Sequence, residues 1–320
     1  MKANIYPWQT EIWQNWQLLL RQERLCHAVL FTAPKGNGRL ALAAMLAKTL
    51  LCENSVTEPC SICHSCQLFE AETHPDFHVI KPETEGKKIS VDAVRTVNKY
   101  AWETSHLGGR CIILIQNADS MGEAAANAVL KTLEEPPLNC YFILFTASID
   151  HMLTTVVSRC DKWHLKLPHE SVVKCWVESE LFESVPLQVI RINRGAPLAA
   201  KAFVERGSLA LHEELITEFS AYVALKQNLF IVTKKLIKSG SDALQWLSFL
   251  LLDVMKLQLG TTEGIVHSDS MILVEQISYS VSFTLVMRQL TALNRLKNDL
   301  IKNSGLNHEL MLSRWLSDFQ

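Results

Sequence analysis

Five short apolar runs punctuate the first half of the chain: Ala28-Val29-Leu30-Phe31, Phe77-His78-Val79-Ile80, Cys111 to Ile115, Tyr141 to Phe145 and Trp163 to Leu167. Each has the length of a strand, and a continuous run such as Cys111-Ile112-Ile113-Leu114-Ile115 suits a parallel strand covered on both faces. The stretches between them have helical spacing. Trp8, Trp13, Trp16 and Leu18 to Leu20 predict an amphipathic helix over the first strand, and the Ala- and Leu-rich segment from Gly38 to about Leu51 predicts a second. Ser90 reads as an N-cap with Asp92 in the first turn, opening a helix through Val94, Val97 and Ala101. Ala124 to Glu135 reads as a helix stopped by Pro136-Pro137, and Met152 to Val157 is helix-like. Strands alternating with helices over about 165 residues predict a parallel α/β sheet. Beyond it the pattern is helical throughout. A short unit from His169 to Arg206 is punctuated by Pro186, Gly195, Pro197 and Gly207, and longer helices follow, broken at Gly240, Gly260, Gly264 and Gly305. Leu290, Leu293, Leu296 and Leu300, with Asn294, Lys297 and Asn298 between them, form an amphipathic face whose leucines belong to a bundle core.

Composition narrows the class. With 320 residues, 48% hydrophobic and 20% charged, the chain has the make-up of a globular protein of two or three domains. A net charge of −2 argues against a long basic groove as its main feature. Met1 to Leu20 lacks the apolar region and small-residue cleavage site of a signal peptide, and the apolar stretch Trp246 to Leu252 is cut short by Asp253 and Lys256. A cytoplasmic location is expected.

The first apolar run feeds Thr32-Ala33-Pro34-Lys35-Gly36-Asn37-Gly38-Arg39-Leu40, the layout of a phosphate-binding loop between a strand and a helix. The chemistry has gone. Ala33 stands where the first glycine belongs, Arg39 replaces the lysine, and Leu40 replaces the hydroxyl residue that would hold magnesium. Arginine is longer and planar and does not take over a lysine's point-charge role, and leucine offers a metal no oxygen. At the end of the strand Cys111–Ile115, a nucleotide-hydrolysing domain carries an aspartate for magnesium and a glutamate for water; here stand Gln116 and Asn117. These amides match the acids in size and carry no charge. Weak anion binding at Gly36 to Arg39 stays open.

Five of the nine cysteines (Cys26, Cys111, Cys140, Cys160, Cys175) are scattered, and four are clustered as Cys52-x7-Cys60-x2-Cys63-x2-Cys66. Four thiolates at this spacing suffice for a closed tetrahedral zinc shell with no open position for catalysis, so a single structural zinc is expected, the alternative being a reduced thiol cluster without metal. His64 and His74 lie nearby and are not needed as ligands.

Taken with Tyr6-Pro7-Trp8, His27-Ala28, the run Ala128-Val129-Leu130-Lys131-Thr132-Leu133-Glu134-Glu135-Pro136-Pro137 and the triplet Ser158-Arg159-Cys160, these features resemble the delta-prime subunits of bacterial DNA polymerase III clamp loaders, within the AAA+ superfamily. The resemblance spans nearly the whole chain; after about residue 210 it rests on helical character and the Gly305-to-Leu310 stretch. It implies a degenerate AAA+ (RecA-like) nucleotide-binding-like domain at 1–166 with a zinc knuckle at 52–66, a helical lid at 167–207, and a helical collar for oligomerisation at 208–320. It also implies a hetero-oligomeric ring with ATP-hydrolysing motor subunits (gamma/tau) and a delta subunit. The ring would load the sliding clamp onto primer-template DNA as part of the replicative polymerase holoenzyme, whose nucleotidyl transfer belongs to the complex. Arg159 would be the arginine finger offered to a neighbour's ATP site, with Ser158 and Cys160 completing the motif. Such a guanidinium stabilises the charge on a phosphoryl group in flight, contributing about 10³- to 10⁵-fold in known cases. The plainer alternative is that Arg159 pairs with a carboxylate at the strand end.

Departures from an active ATPase point one way. Besides the loop and the amide pair, Gly195-Ala196-Pro197-Leu198 has leucine where a working sensor places arginine, and Thr146 stands near the first-sensor position as a relic. No bound ATP is expected. Two other readings remain: an active AAA+ motor, which requires tight MgATP binding, and a zinc-dependent nucleic-acid module, against which stands the lack of a basic, aromatic-interleaved run near Cys60 to Cys66.

Overall fold

The computed structural model describes residues 3–84, 86–225, 228–302 and 306–319. The chain forms two units, Met1–Pro168 and His169–Gln320.

In the first unit a turn of 3-10 helix at Pro7–Gln9 leads into α1 (Thr10–Arg21), β1 (Ala28–Thr32), α2 (Arg39–Leu51), α3 (His64–Glu70), β2 (Phe77–Ile80) and α4 (Val91–Trp102). Then follow β3 (Cys111–Gln116), α5 (Glu123–Glu134), β4 (Cys140–Thr146), the single turn α6 (Thr154–Val157) and β5 (Asp161–His164). The strands form one sheet in the order β2-β3-β4-β1-β5, every pair parallel, with Leu30 opposite Leu144 and Ile113 opposite Phe142. This is the parallel α/β sheet that the alternating pattern led us to expect. Successive strand residues point to opposite faces. Leu30, Ile113, Ile115, Phe142 and Leu144 therefore pack with Val94, Val97, Val129 and Leu133 from α4 and α5. Val29, Phe31, Ile112, Leu114 and Phe145 pack with Trp13, Trp16 and Leu20 of α1 and Leu42 and Leu46 of α2. Burial on both faces is why these strands read as unbroken apolar runs.

One expected element is displaced. The last strand runs over Asp161–His164, not Trp163–Leu167, pairing Val29 with Asp161 and Thr32 with His164. It is an edge strand, half-buried, where charged residues such as Asp161 and Lys162 are tolerated. Its ladder ends as Leu165 N–H donates to Thr32, after which the Leu165 and Lys166 carbonyls accept from the Asn37 amide instead.

The second unit is all helical: α7 (Glu170–Leu181), α8 (Leu187–Ile192), α9 (Pro197–Glu205), α10 (Ser208–Leu225), α11 (Leu229–Gln258), α12 (Met271–Ser280), α13 (Phe283–Lys302) and α14 (His308–Ser317). Apolar residues from Val173 to Phe319 make one continuous core, in which Leu293 and Leu296 are buried and Leu290 and Leu300 partly so. Gly240 (φ 67°, ψ −152°) kinks α11 without ending it, and Gly260 follows its last turn. The expected break at Gly305 lies outside the described residues. Inside this unit Asp253 is fully buried and accepts from the Val266 and His267 amides and from His267 Nδ1 at 2.7 Å, while His267 Nε2 lies 3.2 Å from His212 Nε2. Among the described residues no single helix is long and apolar enough to cross a membrane.

Candidate functional site

The loop after β1 turns with two glycines in left-handed conformation, Gly36 (φ 80°) and Gly38 (φ 77°), the second capping α2. It has the shape of a phosphate cradle, and the protein fills it with its own side chains. Arg39 sends Nη1 to the Ala33 carbonyl at 3.2 Å and Nη2 to Asn117 Oδ1 at 2.8 Å, with its guanidinium 4.9 Å from the centre of the Phe145 ring. Burial lowers its pKa, and the nearby Asp119 carboxylate opposes that. Asn117 itself is left-handed (φ 53°). Arg39 thus ties the loop to the end of β3, the interval that a lysine, a phosphate and a metal occupy in an active site. Leu40 is exposed and coordinates nothing.

The N-terminal segment closes the other side. Trp8 Nε1 and Gln9 Nε2 both donate to the Asn37 carbonyl at 3.0 Å, and the Asn37 side chain, fully buried, donates to the Leu165 and Lys166 carbonyls. The Tyr6 ring lies directly over Gly38: a Cβ placed there would meet it at 2.6 Å and Gln9 Nε2 at 2.7 Å. Tyr6 in turn stacks on Trp8, centroids 5.0 Å apart. Sequence reasoning singled out Tyr6-Pro7-Trp8 and missed Gln9 and Asn37, which carry no recognisable chemistry until the two segments meet. It also missed Asp119. This acid, two residues beyond the amide pair, accepts from Thr146 Oγ1 at 2.7 Å at the end of β4. Gln116 ends β3, half-buried.

The four cysteines converge. Their sulfurs all lie within 4.8 Å of one another among the described residues. A tetrahedral zinc shell with bonds of about 2.3 Å separates sulfurs by roughly 3.8 Å, so the cluster fits one ion. Backbone amides already point at the sulfurs: Cys60 N–H to Cys52, Cys63 N–H to Cys60 and Cys66 N–H to Cys63, at 3.3–3.4 Å. The amides of Ile62 and Cys63 lower the Cys60 thiol to about 6, whereas burial raises Cys66. A cation is what lets such a group ionise together. His64 is exposed, and His74 is buried in a structural role. Its Nδ1 accepts from the Asp76 amide and its Nε2 donates to Ser65 Oγ, which donates on to Leu51 O. Lys48, 6% exposed, bonds Ser61 Oγ and Glu70 and fastens the knuckle to α2.

Three sequence motifs meet at the third feature. His27 Nε2 contacts the Leu133 carbonyl at 3.0 Å, near the C-terminus of α5. Glu134, the last residue of that helix, sits where the helix dipole disfavours an acid. Its carboxylate bonds Arg159 Nη2, whose Nη1 donates to Thr155 O at 2.8 Å and more weakly to Ser158 Oγ at 3.5 Å. Arg159 does pair with a carboxylate, then, one from a helix end and not a strand end, and its side chain stays 31% exposed. Ser158 is exposed, and Cys160 is buried with its thiol pushed up to about 12 by burial. The triplet is thus anchored by a buried cysteine, and its partly exposed arginine is tied back to Thr155 O and Glu134. Leu198 lies in the first turn of α9, opened by Pro197.

Residues 8–169 match the family described as DNA polymerase III, delta subunit, and residues 207–320 match its C-terminal family. The chain is 30% identical to DNA polymerase III subunit delta' of Haemophilus influenzae, over 96% of this chain and 94% of that one. It is 31% identical to that of Escherichia coli, over 96% and 93%. A solved gamma subunit-related DNA polymerase III protein from Thermotoga maritima superposes with a TM-score of 0.49 at 20% identity, over 96% of this chain and 98% of that one. With matches that span both units, the chain belongs to the DNA polymerase III delta' family.

Proposed function

We propose that this chain is a non-hydrolysing clamp-loader subunit that completes the ATP site of a neighbouring motor subunit with Arg159. The observation that carries the first half is the Arg39 bridge from Ala33 O to Asn117 Oδ1, which occupies the catalytic interval with a fixed cation. With Leu40 in place of a hydroxyl and amides at Gln116 and Asn117, the two strand-end positions offer magnesium no carboxylate, and the acid nearby, Asp119, is taken up by Thr146 Oγ1 and faces the Arg39 cation. The isolated chain is expected to bind MgATP no better than millimolar in equilibrium dialysis. Micromolar binding would overturn this half.

The finger role is supported by a guanidinium held at the surface by its own backbone. Arginine stays charged, and its planar fork bonds phosphate oxygens in pairs. Glu134 shares that fork in the free chain, and a half-exposed pair of this kind contributes about 0.2–1 kcal/mol, so a phosphate displaces it readily. In a ring reconstituted with gamma/tau and delta, Arg159→Ala should leave assembly intact and slow clamp- and DNA-stimulated ATP turnover at least tenfold. Glu134→Gln, which removes the competing charge, should speed it by no more than about fivefold. Unchanged turnover in Arg159→Ala would sink the finger role. The knuckle carries one zinc and stabilises its own loop. The lid at 167–207, the collar at 208–320, the cytoplasmic location, and engagement of the sliding clamp and primer-template DNA within the ring belong to the same proposal.

A further inference from the structure

Within the helical unit a cleft of about 520 Å³ opens between α11 and α13. Arg194 enters it from the turn before α9, a non-glycine residue in left-handed conformation (φ 55°). Few residues other than glycine adopt that backbone without cost, so the turn is held by its surroundings. The Arg194 and Gly195 amides donate to Arg191 O and Ile190 O at 2.9 and 2.8 Å. The guanidinium leans over the Phe249 ring, 5.6 Å from its centre, and gives Nη2 to Gln245 Oε1 at 2.8 Å. From the opposite wall Lys297 Nζ donates to the same oxygen. Two donors on one oxygen stand no more than about 6 Å apart, and like charges at that separation repel. Burial and then the Arg194 charge lower the lysine's pKa, with Asp242, one turn away on α11, acting against them. Among the described residues the cleft lining contains no carboxylate. Its remaining polar groups include the Asn294 and Asn298 side chains, both on exposed turns of α13.

Two cations sharing one neutral acceptor, with amides beside them and Asp242 the one acid acting on the lysine from outside the described lining, have what an oxyanion needs and are only partly offset within the fold. We infer that this cleft binds a phosphate group, held between Arg194 and Lys297 with the Asn294 and Asn298 amides at its edge. An aromatic ring under the guanidinium fixes its direction, as a preorganised phosphate fork requires. The phosphate can come from a free phosphate compound or from a nucleic-acid strand, and the chemistry of recognition is common to both.

The test uses the full chain and two probes: inorganic phosphate followed by equilibrium dialysis, and a labelled single-stranded oligonucleotide followed by anisotropy. Lys297→Gln and Arg194→Gln should each weaken phosphate binding about tenfold or more, the loss expected for one charge-assisted bond. Lys297→Arg and Arg194→Lys keep the charge and should retain most of the affinity, which separates binding from folding. If the oligonucleotide weakens in parallel and its salt dependence falls by about one per charge removed, the source is a strand. If only phosphate responds, the source is a free compound. Binding of both probes that is insensitive to the Gln variants, or undetectable in the parent chain, would overturn the assignment.

Discussion

Replacing Gly38 with alanine tests whether the nucleotide cradle is closed by the protein's own N-terminal segment. Two costs are separable. Gly38 has φ 77° and ψ 15°, and an alanine held in that left-handed region costs about 1–2 kcal/mol. Its Cβ would also stand 2.6 and 2.7 Å from two carbons of the Tyr6 ring and 2.7 Å from Gln9 Nε2. Neither neighbour retreats freely, because Tyr6 is stacked on Trp8 and Gln9 is fully buried with its amide bonded to Asn37 O. Overpacking of this kind costs about 1–3 kcal/mol. Gly38→Ala should therefore destabilise the first unit by about 2–5 kcal/mol, read as lost hydrogen-exchange protection in β1 and α2 of the full chain. In a Tyr6→Ala background the two ring contacts are gone while the backbone strain and the Gln9 Nε2 contact remain, so the same substitution should cost about 1 kcal/mol less, read as the coupling between the two sites. Equal costs in the two backgrounds would mean that Tyr6 does not sit on the loop. The claim that the cradle is filled from within would then fall on the Arg39 bridge alone.

Metal analysis should find one zinc per chain in protein purified without chelator. Stripping it, or Cys63→Ser, should expose the amides of 52–66 to exchange and leave those of β3 and β4 protected, because the sheet core contains none of the four ligands. Loss of sheet protection along with the knuckle would show a wider role. His212 predicts a pH dependence in the helical unit. Burial first, and the neighbouring His267 second, lower its pKa to about 3 from an ordinary 6.5. Between those values the unfolded chain holds a proton that the folded one does not, so stability rises with pH there; it is complete above the unfolded value and is lost as pH falls. From pH 6.5 to 5 this amounts to roughly 1.5 kcal/mol. In His212→Gln the stability of α10 and α11 to exchange should lose that part of its pH slope, and an unaltered slope would refute the assignment.

How far each feature could be read from the chain depends on whether its cause is local. The strands Ala28–Thr32, Cys111–Gln116 and Cys140–Thr146 lie close to where the apolar runs end because a parallel strand covered on both faces has no room for polar residues, and Phe77–Ile80, half-buried at the opposite edge, was read from its apolar residues alone. Asp161–His164 escaped for the converse reason: at an edge, pairing with β1 sets the register, and side-chain polarity does not. The cysteine knuckle was legible because four ligands must come from a short stretch with fixed spacing. The loop's lost chemistry was legible because a phosphate loop specifies residue types position by position. What those substitutions build could not be read. Arg39 reaches Asn117 across 78 residues, Gln9 reaches Asn37 across 28, and Glu134 reaches Arg159 across 25. Each partner is unremarkable alone, and only the β2-β3-β4-β1-β5 order brings β1, β3 and β4 side by side so that their ends share one edge. Losing the lysine by itself would leave an empty anion cradle at a helix start. Arg39 opposite Asn117 makes a structural joint there, so the residues at 39 and 117 are better understood as one pairing than as separate losses. A joint of that kind ties the loop after β1 to the end of β3 across the intervening β4.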